Sequence, residues 1–390
     1  MRRWLVIFLA SVLPVAADPL ADWLEKPADG RDEAPEVALD EARAREFRDR
    51  IAEETLARLK AERAAEVEAK EIAVGGRTLR WLEKEFGKAA EGKRSLWISL
   101  HGGGTGPAAM NDQQWRNQIG LYRLKEGICI APRAPENAWN MWHLDYMDGL
   151  FDRLIADMIA TRGVDPDRVF LLGYSAGGDG VWQLAPRLAD RFAAAAMMAG
   201  HPGDASLLPL RNLPFAIFMG GEDAAYDRNK LAAEKGKELE ALRKADPQGY
   251  PHLVKIYRGM PHWMDGKDAE AIPWMAKHTR EPWPKKVVWV QDDVLHDRFY
   301  WLEIPPGAAK QGARISAAVE GNAISLEGDV PAGMKLYLSD RMVDLDAEVT
   351  VTINGKPGFR GKVERSPRAI VEALAALPDA ARCPFAVLRL

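Results

Sequence analysis

Between residues 72 and 284, short apolar runs recur with helical stretches between them, and this alternation limits the fold more than any other feature of the chain. The runs are Ser95–Leu100, Ile128–Ala131, Val169–Leu172, Phe192–Ala199, Pro214–Met219 and Leu253–Tyr257. Stretches of helical character such as Tyr146–Thr161, Ala176–Leu188 and Arg228–Lys244 separate them. Runs apolar at successive positions suit strands buried on both faces, and helices in the crossovers supply that cover. The pattern therefore predicts a mostly parallel sheet flanked by helices, an α/β architecture whose ligand sites form beyond the carboxyl ends of the strands.

The flanks differ in character. Residues 38–69 are rich in alternating acidic and basic side chains, with Phe47, Ile51, Leu56 and Leu59 at helical intervals, and contain no Gly or Pro. One solvated amphipathic helix packed on the next domain is expected there. Beyond Pro284, segments such as Val287–Val290, Ala313–Val319, Lys335–Leu338 and Val349–Ile353 alternate apolar and polar residues, with turn signals at Gly321-Asn322 and Asn354-Gly355. A small, mainly β, sandwich-like domain follows from that period, with one helix near Ala369–Ala376. The organisation read from sequence is a leader at 1–17, a helical segment at 18–70, an α/β domain at 71–284 and a β-rich domain at 285–390.

The leader reading rests on Arg2 and Arg3, the apolar stretch Trp4–Leu13, and the small residues Val15-Ala16-Ala17. That is the order of a secretory signal peptide, too short to span a bilayer, so an exported protein (periplasmic or secreted) without stable membrane insertion after cleavage is expected. A formal net charge of −4 without a dense basic run argues against nucleic acid as partner. The two cysteines, Cys129 and Cys383, lack the spacing of a metal site, and Cys129 in its apolar strand reads as a buried thiol.

Chemistry concentrates in four places. Gly173-Tyr174-Ser175-Ala176-Gly177 joins a strand to a helix, the context in which a G-x-S-x-G turn exposes a serine nucleophile. His101-Gly102-Gly103-Gly104 directly follows the strand Ser95–Leu100. A glycine turn there lets backbone N–H groups approach a developing oxyanion, so the amides of Gly103 or Gly104 and of Ala176 are the candidate donors. Of seven histidines, His262 alone follows a strand late enough in the domain to serve Ser175 as general base. The acid should follow the preceding strand, where Gly220-Gly221-Glu222-Asp223 lies. Asp223 is the choice, with Asp227 and then Glu222 as rivals. Around these, Tyr174, Trp139, Trp142, His201 and Trp263 are candidates for lining a substrate cleft.

These motifs in this order resemble the α/β-hydrolase superfamily. From about Ser95 to Trp263 the chain is similar, more narrowly, to bacterial phospholipase/carboxylesterases and polyhydroxybutyrate-depolymerase-like esterases. The resemblance implies a Ser175–Asp223–His262 triad, small-molecule or polymer ester substrates, and no metal or organic cofactor. Two other readings use the same residues differently. A serine peptidase would share the elbow and the order of the triad, and a non-catalytic cell-envelope binding protein would keep the fold and use the β-rich tail.

Overall fold

The alternating runs assemble into one eight-stranded sheet in the computed structural model, which describes residues 18–90 and 92–390. The leader expected at 1–17 lies outside the described residues. The strands are β1 (Glu71–Val74), β2 (Arg77–Phe86), β3 (Arg94–Leu100), β4 (Gly127–Arg133), β5 (Val164–Tyr174), β6 (Ala194–Met198), β7 (Phe215–Gly220) and β8 (His252–Tyr257). They lie in the order β1-β2-β4-β3-β5-β6-β7-β8. β2 runs antiparallel to both its neighbours, and every other pairing is parallel.

Side chains alternate across this sheet into two cores. Leu96, Ile98 and Leu171 face one side, and Trp97, Phe170 and Phe218 face the other, where Trp97 stacks on Phe170 at 4.1 Å between centroids. The period of two along each strand produces this division, and helices cover both faces. Two helices precede the sheet, α1 (Pro19–Glu25) and α2 (Glu41–Ala69). Five more follow its strands: α3 (Ala108–Leu121), α4 (Tyr146–Arg162), α5 (Ala176–Arg187), α6 (Arg228–Ala245) and α7 (Ala271–Met275).

The charged stretch forms α2 as expected. Its N-terminus is capped by Asp40, whose carboxylate accepts from the Arg43 amide at 2.8 Å. Phe47, Ile51 and Leu59 are buried, and ion pairs from Arg63 to Asp157 (2.9 Å) and from Arg153 to Glu66 (2.8 Å) tie α2 to α4.

The tail forms two sheets. One has the order β16-β15-β13-β12-β9 and the other β10-β11-β14-β17. Their strands are β9 (Lys286–Val290), β10 (Arg298–Phe299), β11 (Leu302–Glu303), β12 (Arg314–Glu320), β13 (Ala323–Gly328), β14 (Lys335–Leu338), β15 (Val349–Ile353), β16 (Lys356–Gly361) and β17 (Ala386–Arg389). α8 (Pro367–Ala376) precedes β17, two residues longer at its start than the apolar pattern suggests, because Pro367 fits the first turn. The α/β architecture with a β-rich C-terminal region is thus borne out.

The tail is joined to the large sheet through buried charge. Asp190, 1% exposed, accepts from the Tyr300 amide at 3.1 Å and pairs with Arg382 and Arg191, each at 2.5 Å. Burial by itself would raise its pKa, but the two guanidiniums outweigh burial and hold it well below the usual carboxylate range. Arg280 bridges Asp167 and Asp379 in the same way, at 2.7 and 2.6 Å. Cys129 and Cys383 are both buried and free, and burial pushes each thiol up to about 12. Among the described residues no helix is long and apolar enough to cross a membrane.

Candidate active site

β5 delivers Tyr174 to the rim of the sheet, and the chain then reverses sharply into α5. Ser175 takes up that reversal with φ 57° and ψ −121°, a backbone region that costs a non-glycine residue of order 1–3 kcal/mol. The glycines on either side are required by close approach. A Cβ on Gly173 would lie 2.2 Å from the Gly177 carbonyl oxygen, and one on Gly177 would lie 2.2 Å from that of Leu100. The Ser175 amide donates to the Met198 carbonyl at 2.9 Å, fixing the elbow to β6.

The loops after β7 and β8 bring two side chains to this serine. His262 Nε2 lies 3.0 Å from Ser175 Oγ, and His262 Nδ1 lies 2.6 Å from Asp223 Oδ2. A carboxylate can only accept, so Nδ1 carries the proton and Nε2 is left to accept from the serine hydroxyl. Asp223 is 3% exposed, whereas the imidazole keeps 41% of its side-chain surface open to solvent. The two rival acids lie elsewhere. Asp227 is exposed and pairs with Lys230 at 2.7 Å, and Glu222 is exposed.

The glycine turn after β3 closes over the same point. A Cβ on Gly102 would lie 3.1 Å from Ser175 Cβ. The Gly103 and Ala176 amides have no internal acceptor among the described residues, which leaves both free to donate to a ligand. The Gly104 amide is different. It donates to Asn111 Oδ1 at 2.9 Å, so it is committed to holding the turn, and its expected part in an oxyanion hole is corrected. Gly103 has φ 123°, and a Cβ there would strike Asn111 Oδ1 at 2.0 Å, so side-chain-free backbone is needed on this wall.

Two clefts meet at Ser175. One, of about 700 Å³, is lined by Met110, Gln114, Asn117, Leu121, Tyr174 and Trp263. The other, of about 540 Å³, is lined by Trp139, His143, Asp179, His201, Tyr226 and Arg228. Trp139 is 67% exposed and Trp263 49%, so each offers an open aromatic face. His201 reaches the second cleft on a loop pinned by its own amide, which donates to Asp179 Oδ1 at 2.6 Å. Tyr174 lines the first cleft while its hydroxyl braces the histidine loop, donating to the His262 carbonyl at 2.7 Å and accepting from the Met264 amide at 3.1 Å. Trp142 is a correction. It is fully buried, and its indole N–H donates to the His101 carbonyl at 2.8 Å, so it packs the turn and lines neither cleft.

This arrangement sits at the carboxyl ends of β3, β5, β7 and β8, on a sheet with β2 as its single reversed strand. The fold is that of an α/β-hydrolase. Residues 125–293, less than half of the chain, match the profile of the dienelactone hydrolase family. Similar solved structures include a thermostable esterase, 18% identical, with a TM-score of 0.42 over 54% of this chain and 62% of its own. They also include esterase PE8, 20% identical, with a TM-score of 0.34 over 50% of this chain and 99% of its own. A third is a phospholipase/carboxylesterase from Dyadobacter fermentans, 18% identical, with a TM-score of 0.36 over 52% of this chain and 97% of its own. The chain thus spans less than two thirds of the thermostable esterase. No curated protein sequence matches it.

Several residues of the site were not legible in the sequence. His101 is wholly buried, its Nδ1 donating to the Gly102 carbonyl at 2.6 Å and its Nε2 accepting from the Ala134 amide at 3.2 Å. Burial lowers its pKa to about 4, so it is neutral at physiological pH. Asn111 returns a second bond, from Nδ2 to the Gly104 carbonyl at 2.8 Å. Arg228 lies beside Asp223 with Nη1 3.5 Å from Oδ1. The amide-rich run Asn111-Asp112-Gln113-Gln114 after the glycine turn was the one signal for the α3 wall. Among the described residues no group of three or more His, Cys, Asp or Glu is arranged to hold a metal ion.

Proposed function

We propose that this chain is a serine esterase that cleaves carboxylic esters through Ser175, His262 and Asp223 by way of an acyl-enzyme. The observation that carries the reading is the unbroken hydrogen-bonded path from a strained, cleft-facing serine through an imidazole to a buried carboxylate. In this reading His262 Nε2 takes the hydroxyl proton as Ser175 Oγ attacks the ester carbonyl, and the carbonyl electron pair moves to oxygen. The Gly103 and Ala176 amides receive that oxyanion, aided by the positive end of the α5 dipole. Collapse breaks the bond to the alkoxy oxygen, which leaves with the proton from His262. Water then repeats the cycle on the acyl-enzyme and regenerates Ser175.

Two clefts that meet at Ser175 support an ester with substance on both its acyl and alcohol sides. The test is labelling and turnover with Ser175→Ala. Loss of fluorophosphonate labelling and a fall in kcat of about 10⁴-fold or more are expected, by analogy with removal of a serine nucleophile elsewhere. Undiminished labelling would end the reading, and equal turnover of matched peptide amides would move it to a peptidase. We further propose that the protein is exported, supported by the pattern of its first 17 residues. N-terminal sequencing of protein from the extracytoplasmic fraction should begin at Asp18.

A further inference from the structure

Where α2, α4 and the turn after α8 meet lies a cavity of about 460 Å³ that shares no lining residue with either cleft at Ser175. Its wall carries Arg58, Arg63, Arg153, Arg191, Arg298 and Arg382, against the single carboxylate of Asp152. Like charges do not gather in a confined space without compensation. Five of the six have it. Arg58 pairs with Glu62 at 3.0 Å, Arg63 with Asp157 at 2.9 Å and Arg153 with Glu66 at 2.8 Å. Arg191 pairs with Asp152 at 3.0 Å, and Arg382 with Asp190 at 2.5 Å.

Arg298 is the exception. Among the described residues its guanidinium makes no ion pair, and its Nε is buried with no hydrogen-bond partner, although the side chain as a whole is half-buried. It is nevertheless held in place, stacked 4.0 Å over the ring of Tyr337. The nearby carboxylate of Glu303 is already taken by Lys335 and the Tyr337 hydroxyl, each at 2.5 Å. A buried donor on a cation, left unpaired, is costly unless something external completes it. The surrounding field agrees. Burial first, and then the guanidiniums of Arg191, Arg280 and Arg298, push Arg382 down to about 10 despite its contact with Asp190.

We propose that this cavity is an oxyanion-binding site that takes a phosphate group, free or as a small monoester, with Arg298 as its principal donor. Phosphate fits because it offers three or four acceptor oxygens and close to two negative charges to forked donors arriving from several directions. The lining comes from three parts of the chain, Arg58 and Arg63 on α2, Arg153 on α4 and Arg298 in the tail. A bound phosphate therefore also fastens the tail and the leading helix to the hydrolase core.

The test is titration of the intact protein with inorganic phosphate, followed by calorimetry and thermal unfolding, against chloride at matched ionic strength. A saturable rise in Tm is expected with phosphate and not with chloride. Arg298→Gln should weaken phosphate binding about tenfold, the loss of a charge-assisted pair, while leaving short-ester turnover unchanged. If that variant does not fold, Arg58→Gln at the exposed rim serves instead, with a loss of about threefold, as a partly exposed contact gives. Glycerol phosphate run alongside separates the sources, since tighter binding than inorganic phosphate assigns the site to monoesters and equal binding assigns it to the free ion. A phosphate effect no larger than that of chloride would overturn the proposal, as would either substitution leaving phosphate affinity unchanged.

Discussion

A serine hydroxyl is a weak nucleophile at neutral pH, and its use depends on side chains that themselves never touch a substrate. His101 is such a residue here. It is buried beneath the glycine turn with one nitrogen donating to Gly102 and the other accepting from Ala134, so both ring positions hold backbone in place. Because burial lowers its pKa from 6.5 to about 4, the folded protein binds fewer protons than the unfolded chain between those values. Stability from His101 is therefore complete above pH 6.5 and is lost as pH falls toward 4, by on the order of 3 kcal/mol. Urea midpoints measured at pH 7 and pH 4.5 should differ less in His101→Gln than in the parent, although the variant is the less stable at pH 7. Equal acid sensitivity in both would show that this imidazole does not titrate on unfolding.

At the scale of elements, the site is assembled by loops that rigid strands and helices deliver to one rim. The elbow between β5 and α5 holds Ser175 close against the turn after β3. α3 contributes more than cover, because Asn111 in its first turn bonds both the amide and the carbonyl of Gly104, and donates to Asn137 Oδ1 as well, and so holds the turn that carries Gly103. Asn111→Ala should lower kcat/KM toward a short ester by about 10- to 100-fold, less than the roughly 10²- to 10³-fold that outright loss of an oxyanion donor costs. The fold should survive, seen as an unchanged far-UV spectrum with Tm lower by a few degrees. A rate within twofold of the parent would show that the turn holds its shape without this helix. The strand-and-helix alternation, the elbow and the loop carrying His262 were readable from residue order, since strands of this sheet announce themselves by period and glycine. Asn111 was not, because nothing in an amide-rich helix says which residue faces inward.

Across the whole molecule, the β-rich tail is bonded to the large sheet rather than appended to it. Asp190 follows α5, yet its partners include Arg382 and the backbone of Tyr300, both from the tail. Removing its charge leaves the buried Arg382 without its ion-pair partner, whereas Arg191 keeps Asp152, and losing one member of a buried pair costs about 3–5 kcal/mol. Asp190→Asn should therefore lower the urea midpoint and loosen the tail, measured as faster hydrogen exchange in β10 and β17 than in β5. A chain ending at Lys285 should be insoluble, since the inner faces of Trp283, Leu207 and Leu210 pack in one core with Val287, Trp289 and Phe299. Soluble and active protein of that length would mean that the tail is not needed to brace the hydrolase.

The amino-acid order alone determined the layered sheet, the leading helix, the β-rich ending and the serine, histidine and acidic positions worth weighing. These follow from local period, turn chemistry and the fixed sequence in which a chain can visit successive strand ends. Tertiary structure decided which carboxylate meets His262, that Gly104 and Trp142 serve the turn rather than the cleft, and that Arg298 has no ion-pair partner among the described residues. Each of those depends on distances between residues far apart in the chain, which only packing sets.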